Sequence, residues 1–151
     1  MDATDRKLLA LLSEDAGAAY RDLGEKLGLS APSVFERVKK LKAQGVIKRT
    51  TIAIDGEAIG RPLLAFVHVN SEGWGKTPEL MALQDDPRVE EIHAVAGDTC
   101  MILKVRCEST RALEELLKRI YGVPGIKGTR SYIALNTYLE RNARTELLGV
   151  Q

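Results

Sequence analysis

Between residues 37 and 49 the chain carries Arg37, Lys39, Lys40, Lys42, Lys48 and Arg49, with no acid among them. Such a run suits a polyanion, because each lysine or arginine can neutralise a backbone phosphate and release its counterion. Just upstream stand Ser30, Ser33 and Glu36, and Arg21 lies a little further back. An arginine can bond both acceptors of a guanine edge, a glutamate accepts from cytosine, and a serine bonds a base or a phosphate. Ser33, Glu36 and Arg37 are therefore the candidates for base contact. Arg21, Ser30, Lys39, Lys40, Lys42, Lys48 and Arg49 are the candidates for holding a duplex by its backbone. A lysine-rich helical face is also what plain solvation produces, so this reading depends on the frame that carries the charges.

That frame is helical as far as residue 48. Asp2 and Asp5 place acids at a helix start, where unpaired amides and the macrodipole favour them, and Leu8, Leu9 and Leu12 recur at helical spacing before Gly17. A shorter helix over 20–27 buries Leu23 and Leu27 and stops at Gly28, with Ala19 a poor cap at its start. The third helix begins at Ser30, tolerates Pro32 in its first turn, and sets Val34, Val38 and Leu41 on one face before Gly45. Ser33, Arg37 and Lys40 fall one position earlier and form a parallel stripe rotated by about 100°. Helix, glycine turn and basic helix together make a helix-turn-helix, winged-helix-like in character, over 1–48.

The formal net charge is only +1, so charge placement rather than total charge supports a nucleic-acid partner. Hydrophobic residues make up 44% of the 151, enough for packed cores, and the apolar stretch over 63–69 is too short to span a bilayer. The expected location is the cytoplasm. Cys100 and Cys107 show neither a disulfide framework nor paired zinc ligands and read as ordinary thiols. His68 and His93 alternate within predicted strands, without a nucleophile or metal-ligand spacing nearby, and read as structural or surface groups. No cofactor, metal or catalytic residue is expected.

From residue 46 the period changes. The stretch 46–54 is rich in β-branched residues and predicts a strand that runs into a hinge over 49–62, where Gly56, Gly60 and Pro62 mark a connection. Strands follow at 63–70, 89–96, 101–107 and 126–136, with helices at 78–84 and 111–121. That βαββαβ order is ferredoxin-like and defines a second domain over 63–138, followed by a tail over 139–151, for an α+β fold overall. A sheet with helices on one face leaves the other uncovered. Leu64, Phe66, Ile102 and Val105 must be divided between those faces, and the open one needs a partner, most simply a second copy. Two-fold pairing of the recognition helices predicts half-sites about 34–36 Å apart or a multiple of it. Trp74, between two glycines, is a candidate cover for an apolar surface.

Asp2, Asp5, Leu9, Leu12, Ser30, Val34, Arg37, Val38, Leu41 and Gly45-Val46-Ile47 together resemble the Lrp/AsnC (feast/famine) transcription regulators. The resemblance continues through Leu64-Ala65-Phe66-Val67, Pro87-x-Val89, Val95-Ala96-Gly97-Asp98, Pro124-Gly125-Ile126 and Thr129-Arg130-Ser131-x-Ile133-x-Leu135. It implies a DNA-binding domain on double-stranded DNA, dimers paired through the second domain's sheet, and tetramers, octamers or larger discs built from them. It also implies an amino-acid effector bound between neighbouring dimers. Gly97, Asp98, Thr99 and Cys100 match that family's ligand loop, and Thr129 and Ser131 its other side. Asp98 is the expected ammonium acceptor, with the two hydroxyls as donors to a carboxylate or ligand side chain. The chain departs from the commonest pattern at Cys100, where many members carry a second acid.

Two other readings stay open on the sequence. One is an architectural DNA-binding protein without an effector. The other is a ferredoxin-like dimeric enzyme, since fold alone does not choose function.

Overall fold

The computed structural model describes residues 1–72, 77–143 and 145. They form two compact units, Met1–Ala53 with the described part of the segment from Leu139, and Ile54–Tyr138. Trp74 lies outside the described residues.

The first unit holds three helices, α1 (Ala3–Glu14), α2 (Tyr20–Leu27) and α3 (Ala31–Ala43). Asp2 caps α1 reciprocally: its Oδ1 accepts from the Asp5 amide at 2.7 Å, and Asp5 Oδ2 accepts from the Asp2 amide at 3.0 Å. Helix α2 has no side-chain cap at Ala19 and ends on Gly28, whose φ of 67° needs a residue without a Cβ. Ser30 caps α3 by accepting from the Ser33 amide at 3.3 Å. Leu8, Leu23, Val34, Val38 and Leu41 form the core, with Leu9, Leu12, Leu27, Leu29 and Ile47 packed around it.

Residues 46–54 depart from the expected strand, since no strand forms there. The amides of Val46 and Ile47 both donate to Leu41 O, at 3.0 and 3.2 Å, so the first two residues finish α3. The residues after them pair with no strand among the described residues. A β-ladder is a property of two strands, and β-branching supplies only one.

The second unit contains β1 (Leu63–Ser71), α4 (Pro78–Met81) continued by a 3₁₀ turn (Ala82–Asp85), β2 (Val89–Ala94), β3 (Met101–Cys107), α5 (Thr110–Tyr121) and β4 (Ile126–Ile133). The strands lie in the order β2-β3-β1-β4 with every neighbouring pair antiparallel. Strands β2 and β4 end two and three residues short of their expected limits, and Cys100 precedes β3 rather than lying in it.

Alternation sorts the two faces. Ala65, Val67, Val69, Met101, Leu103, Val105 and Cys107 are buried against Leu113, Leu116 and Ile120 of α5 and against Leu80 and Leu83. The register sets Leu64, Phe66 and His68 opposite Arg106, Lys104 and Ile102, on the other face. Val105 therefore belongs to the helix-covered face, and Phe66 and Ile102 to the open one. One acid is sunk among these elements. Asp86, 2% exposed, receives Arg88 Nη2 at 2.7 Å, Arg88 Nε at 2.9 Å and Arg119 Nη1 at 2.9 Å, while Arg88 also donates to Ala112 O. It ties the start of β2 to α5.

Candidate nucleic-acid interface and effector loop

In the first unit the relation of α2 to α3 depends on Gly24. Its carbonyl accepts from the Leu29 amide at 2.8 Å, and a Cβ on it would stand 2.4 Å from Leu29 O, well inside contact distance. No side chain fits at that point of the turn.

The outward face of α3 carries Ser33, Glu36, Lys39, Lys40 and Lys42, all exposed, and Lys48 and Arg49 follow it, exposed as well. Arg21 is exposed on α2, paired with Asp22 at 3.4 Å and Glu25 at 3.9 Å. The hydroxyls of Ser30 and Ser33 lie 2.9 Å apart. Asp2, Leu29, Ser33, Glu36, Arg37 and Lys40 line a shallow open cleft of about 540 Å³. Five sequence candidates thus come together around α3, with Lys39 and Lys42 on its next turns.

Arg37 differs from the others. Its Nη1 donates to Asp2 Oδ2 at 2.8 Å and to Asp5 Oδ1 at 2.6 Å, so the side chain expected to read guanine is already anchored to the start of α1. The cluster is ionised throughout. Arg37 holds the Asp2 carboxyl below its ordinary range, with help from the Asp5 amide. Burial opposes ionisation of Asp5, but the Asp2 amide and Arg37 outweigh it and lower that pKa too. The two carboxylates, Asp2 first, raise that of Arg37.

In the second unit the loop after β2 presents Asp98, bound by Arg130 Nη2 at 2.6 Å, an ion pair that lowers the Asp98 pKa. Gly97 has no positive φ, and a Cβ there would meet open space. Thr99 is buried and donates to Val69 O at 3.0 Å, which commits it to the sheet. Cys100 points its thiol at Ser71 O, 3.8 Å away. Thr129 and Ser131 pair in register with Val69 and Val67, on the helix-covered face, whereas Arg130 sits opposite His68 on the open face. Within one chain the loop reaches β4 through the Asp98–Arg130 pair, while Thr129 and Ser131, on either side of Arg130, alternate to the other face. The Thr129 amide donates to Tyr121 Oη at 3.3 Å. Of the histidines, His93 pairs with Glu91 at 2.7 Å, and His68 packs edge-on to Tyr132, ring centres 4.9 Å apart.

Residues 1–42 match the AsnC-type helix-turn-helix domain, and residues 64–144 match the Lrp/AsnC ligand binding domain. The chain belongs to the Lrp/AsnC family of transcriptional regulators. Curated relatives of this Lrp/AsnC chain include the HTH-type transcriptional regulator FL11 of Pyrococcus horikoshii, 35% identical over 141 residues and 93% of each chain. Another is the HTH-type transcriptional regulator LrpA of Mycobacterium tuberculosis, 37% identical over 139 residues, 91% of this chain and 92% of that one. Among solved structures, the feast or famine regulatory protein Rv3291c of M. tuberculosis, complexed with L-methionine, superposes with a TM-score of 0.88 at 34% identity. It covers 95% of this chain and 98% of its own. Escherichia coli AsnC gives 0.84 at 27% identity, over 95% and 97%.

Four residues that position this Lrp/AsnC chain's candidate sites escape a reading by residue type. Gly24 is a glycine inside a helix, a signal in itself, since glycine there costs about 0.5–1 kcal/mol relative to alanine. Asp2 and Asp5 were legible as caps but not as partners of Arg37. Arg130 sits between Thr129 and Ser131, yet strand alternation sends it to the opposite face, where it meets Asp98.

Proposed function

We propose that this Lrp/AsnC regulator is a cytoplasmic dimer-based protein that lays α3 in the major groove of double-stranded DNA and answers to an amino acid bound at the Asp98 loop. The observation that carries the DNA contact is the solvent face of α3. There Lys39, Lys40 and Lys42 make no ion pair among the described residues, and Lys48 and Arg49 continue the charge beyond the helix. Ser33 and Glu36 lie nearest the helix start on that face and meet base edges, together with the part of Arg37 that its carboxylates leave free. Lys39, Lys40, Lys42, Lys48, Arg49, Arg21 and Ser30 contact the backbone. Reversing Lys39, Lys40 and Lys42 to glutamate removes three such contacts. The slope of log binding constant against log salt then falls by about 2.7, and gel-shift affinity drops by orders of magnitude near physiological salt. An unchanged slope in the triple variant would place the duplex elsewhere.

Dimerisation is supported by the open sheet face, where Phe66 is 38% and Tyr132 53% exposed, directly opposite each other on neighbouring strands. The charged half of that face is internally paired, with Glu90 binding Arg106 at 2.6 Å and Lys104 at 3.4 Å, so the apolar half is what a second copy covers. Phe66→Glu is expected to halve the sedimenting mass of the dimer, with the circular dichroism spectrum unchanged.

The effector reading draws on the position of Asp98 at an exposed turn, on the polar groups of Thr129 and Ser131, and on the L-methionine bound to the M. tuberculosis relative. Because Asp98 meets Arg130 on one face while Thr129 and Ser131 alternate to the other, a second chain completes the site. With L-methionine as the first probe of an amino-acid panel, the wild-type protein is expected to melt at higher temperature by mass action. Asp98→Ala should lose that rise while keeping its affinity for DNA. An equal rise in Asp98→Ala would move the site away from this loop.

A further inference from the structure

The cleft beside α3 is lined by two acids, Asp2 and Glu36, and two bases, Arg37 and Lys40, so its formal charge is zero although it borders the most basic stretch of the chain. Half of that cancellation comes from α1 rather than from α3. Asp2 is half exposed and Asp5 almost fully buried, yet both bind the same guanidinium nitrogen, Nη1. No hydrogen bond of Nη2 or Nε of Arg37 is formed among the described residues. Asp5 alone is enough to anchor Arg37, because its carboxylate is the shorter and better shielded contact. Asp2 adds a second, solvent-facing carboxylate at the rim of a surface that meets a polyanion.

We infer that Asp2 sets the affinity of this DNA face through Arg37: its carboxylate neutralises the guanidinium that the duplex meets, a built-in restraint that an entering phosphate must weaken. The inference rests on the proposed placement of α3 on DNA. When a phosphate enters the cleft, it accepts from Nη2 and Nε, and the repulsion between it and Asp2 Oδ2 weakens the Asp2 contact. Nη1 stays on Asp5. Asp2 is thus a positioning residue for Arg37, and its negative charge opposes binding.

The two duties of Asp2 fall on different oxygens. Oδ1 caps α1, and Oδ2 holds Arg37. Asp2→Asn keeps a carbonyl oxygen for the cap, and asparagine caps as well as aspartate does, but its amide nitrogen cannot accept from Arg37. The variant is therefore expected to keep its helix content and melting temperature. A mixed-sequence duplex, followed by fluorescence anisotropy between about 50 and 200 mM salt, is expected to bind it roughly three- to fivefold more tightly than wild type. The salt slope should steepen by about 0.9, the share of one additional phosphate. In an Arg37→Gln background the same substitution should change neither quantity. Unchanged affinity and slope in Asp2→Asn would overturn the restraint and leave the DNA face standing. Equal tightening without Arg37 would also overturn it, since Asp2 would then act only as bulk charge. Absence of salt-dependent binding by every variant would overturn the DNA face itself, and the restraint with it.

Discussion

Asp86→Ala is expected to destabilise the second unit by about 3–5 kcal/mol, the range for removing one partner of a buried ion pair. The carboxylate is 2% exposed and receives Arg88 twice, Arg119 once and the Arg88 amide at 3.0 Å. Among the described residues, alanine leaves the largely buried Arg88 guanidinium with its bond to Ala112 O. A urea titration followed by circular dichroism measures the loss, and a change below about 1 kcal/mol would show that water replaces the carboxylate. The same group makes the unit acid-sensitive. Arg88 above all, opposed by burial, lowers the Asp86 pKa from 3.8 to about 2 in the folded protein. Because the folded value lies below the unfolded one, its stabilisation is complete above about pH 4 and disappears as pH falls toward 2. The amount is about 2 kcal/mol, smaller than the alanine loss because a protonated carboxyl still fills the site and keeps part of its hydrogen bonding. Asp86→Asn should fall between the two and abolish this part of the pH dependence.

Gly24→Ala should unfold or loosen the helix-turn-helix enough to abolish DNA binding. Two effects oppose each other. Alanine in place of glycine inside a helix gains about 0.5–1 kcal/mol, whereas forcing a methyl into a filled space costs about 1–3 kcal/mol. Here the atom in the way is the backbone oxygen of Leu29, at 2.4 Å, which cannot swing aside as a side chain would. The cost therefore takes the upper part of its range and exceeds the gain by about 1–2 kcal/mol. A module of three short helices has little stability to spare, and the movement falls on the turn that aims α3. The measurement is a gel shift with a paired thermal melt. Gly24→Ser should behave alike, since any Cβ meets the same oxygen, and a wild-type melt with full DNA affinity in Gly24→Ala would refute the steric argument.

What the sequence settled by itself is local. Asp2 and Ser30 each cap the helix that follows them, and Val34, Val38 and Leu41 share a face because the helical period leaves them no alternative. The βαββαβ order follows from alternation and turn residues in the same way, since each acts within a few positions. Tertiary structure decided whatever depends on distant partners. Residues 46–54 have the composition of a strand but pair with no strand among the described residues. Thr99 donates its hydroxyl to Val69 O thirty residues away, a contact its type alone does not announce. Arg37 stands on the predicted stripe, yet its ion pairs span 35 and 32 residues, to Asp2 and Asp5. Residue type and spacing placed that guanidinium on the stripe beside the buried face of α3. Only the packing of α1 against α3 determined how much of it is free to act there, because an ion pair is set by distance in space, and distance in space is what a one-dimensional pattern does not contain.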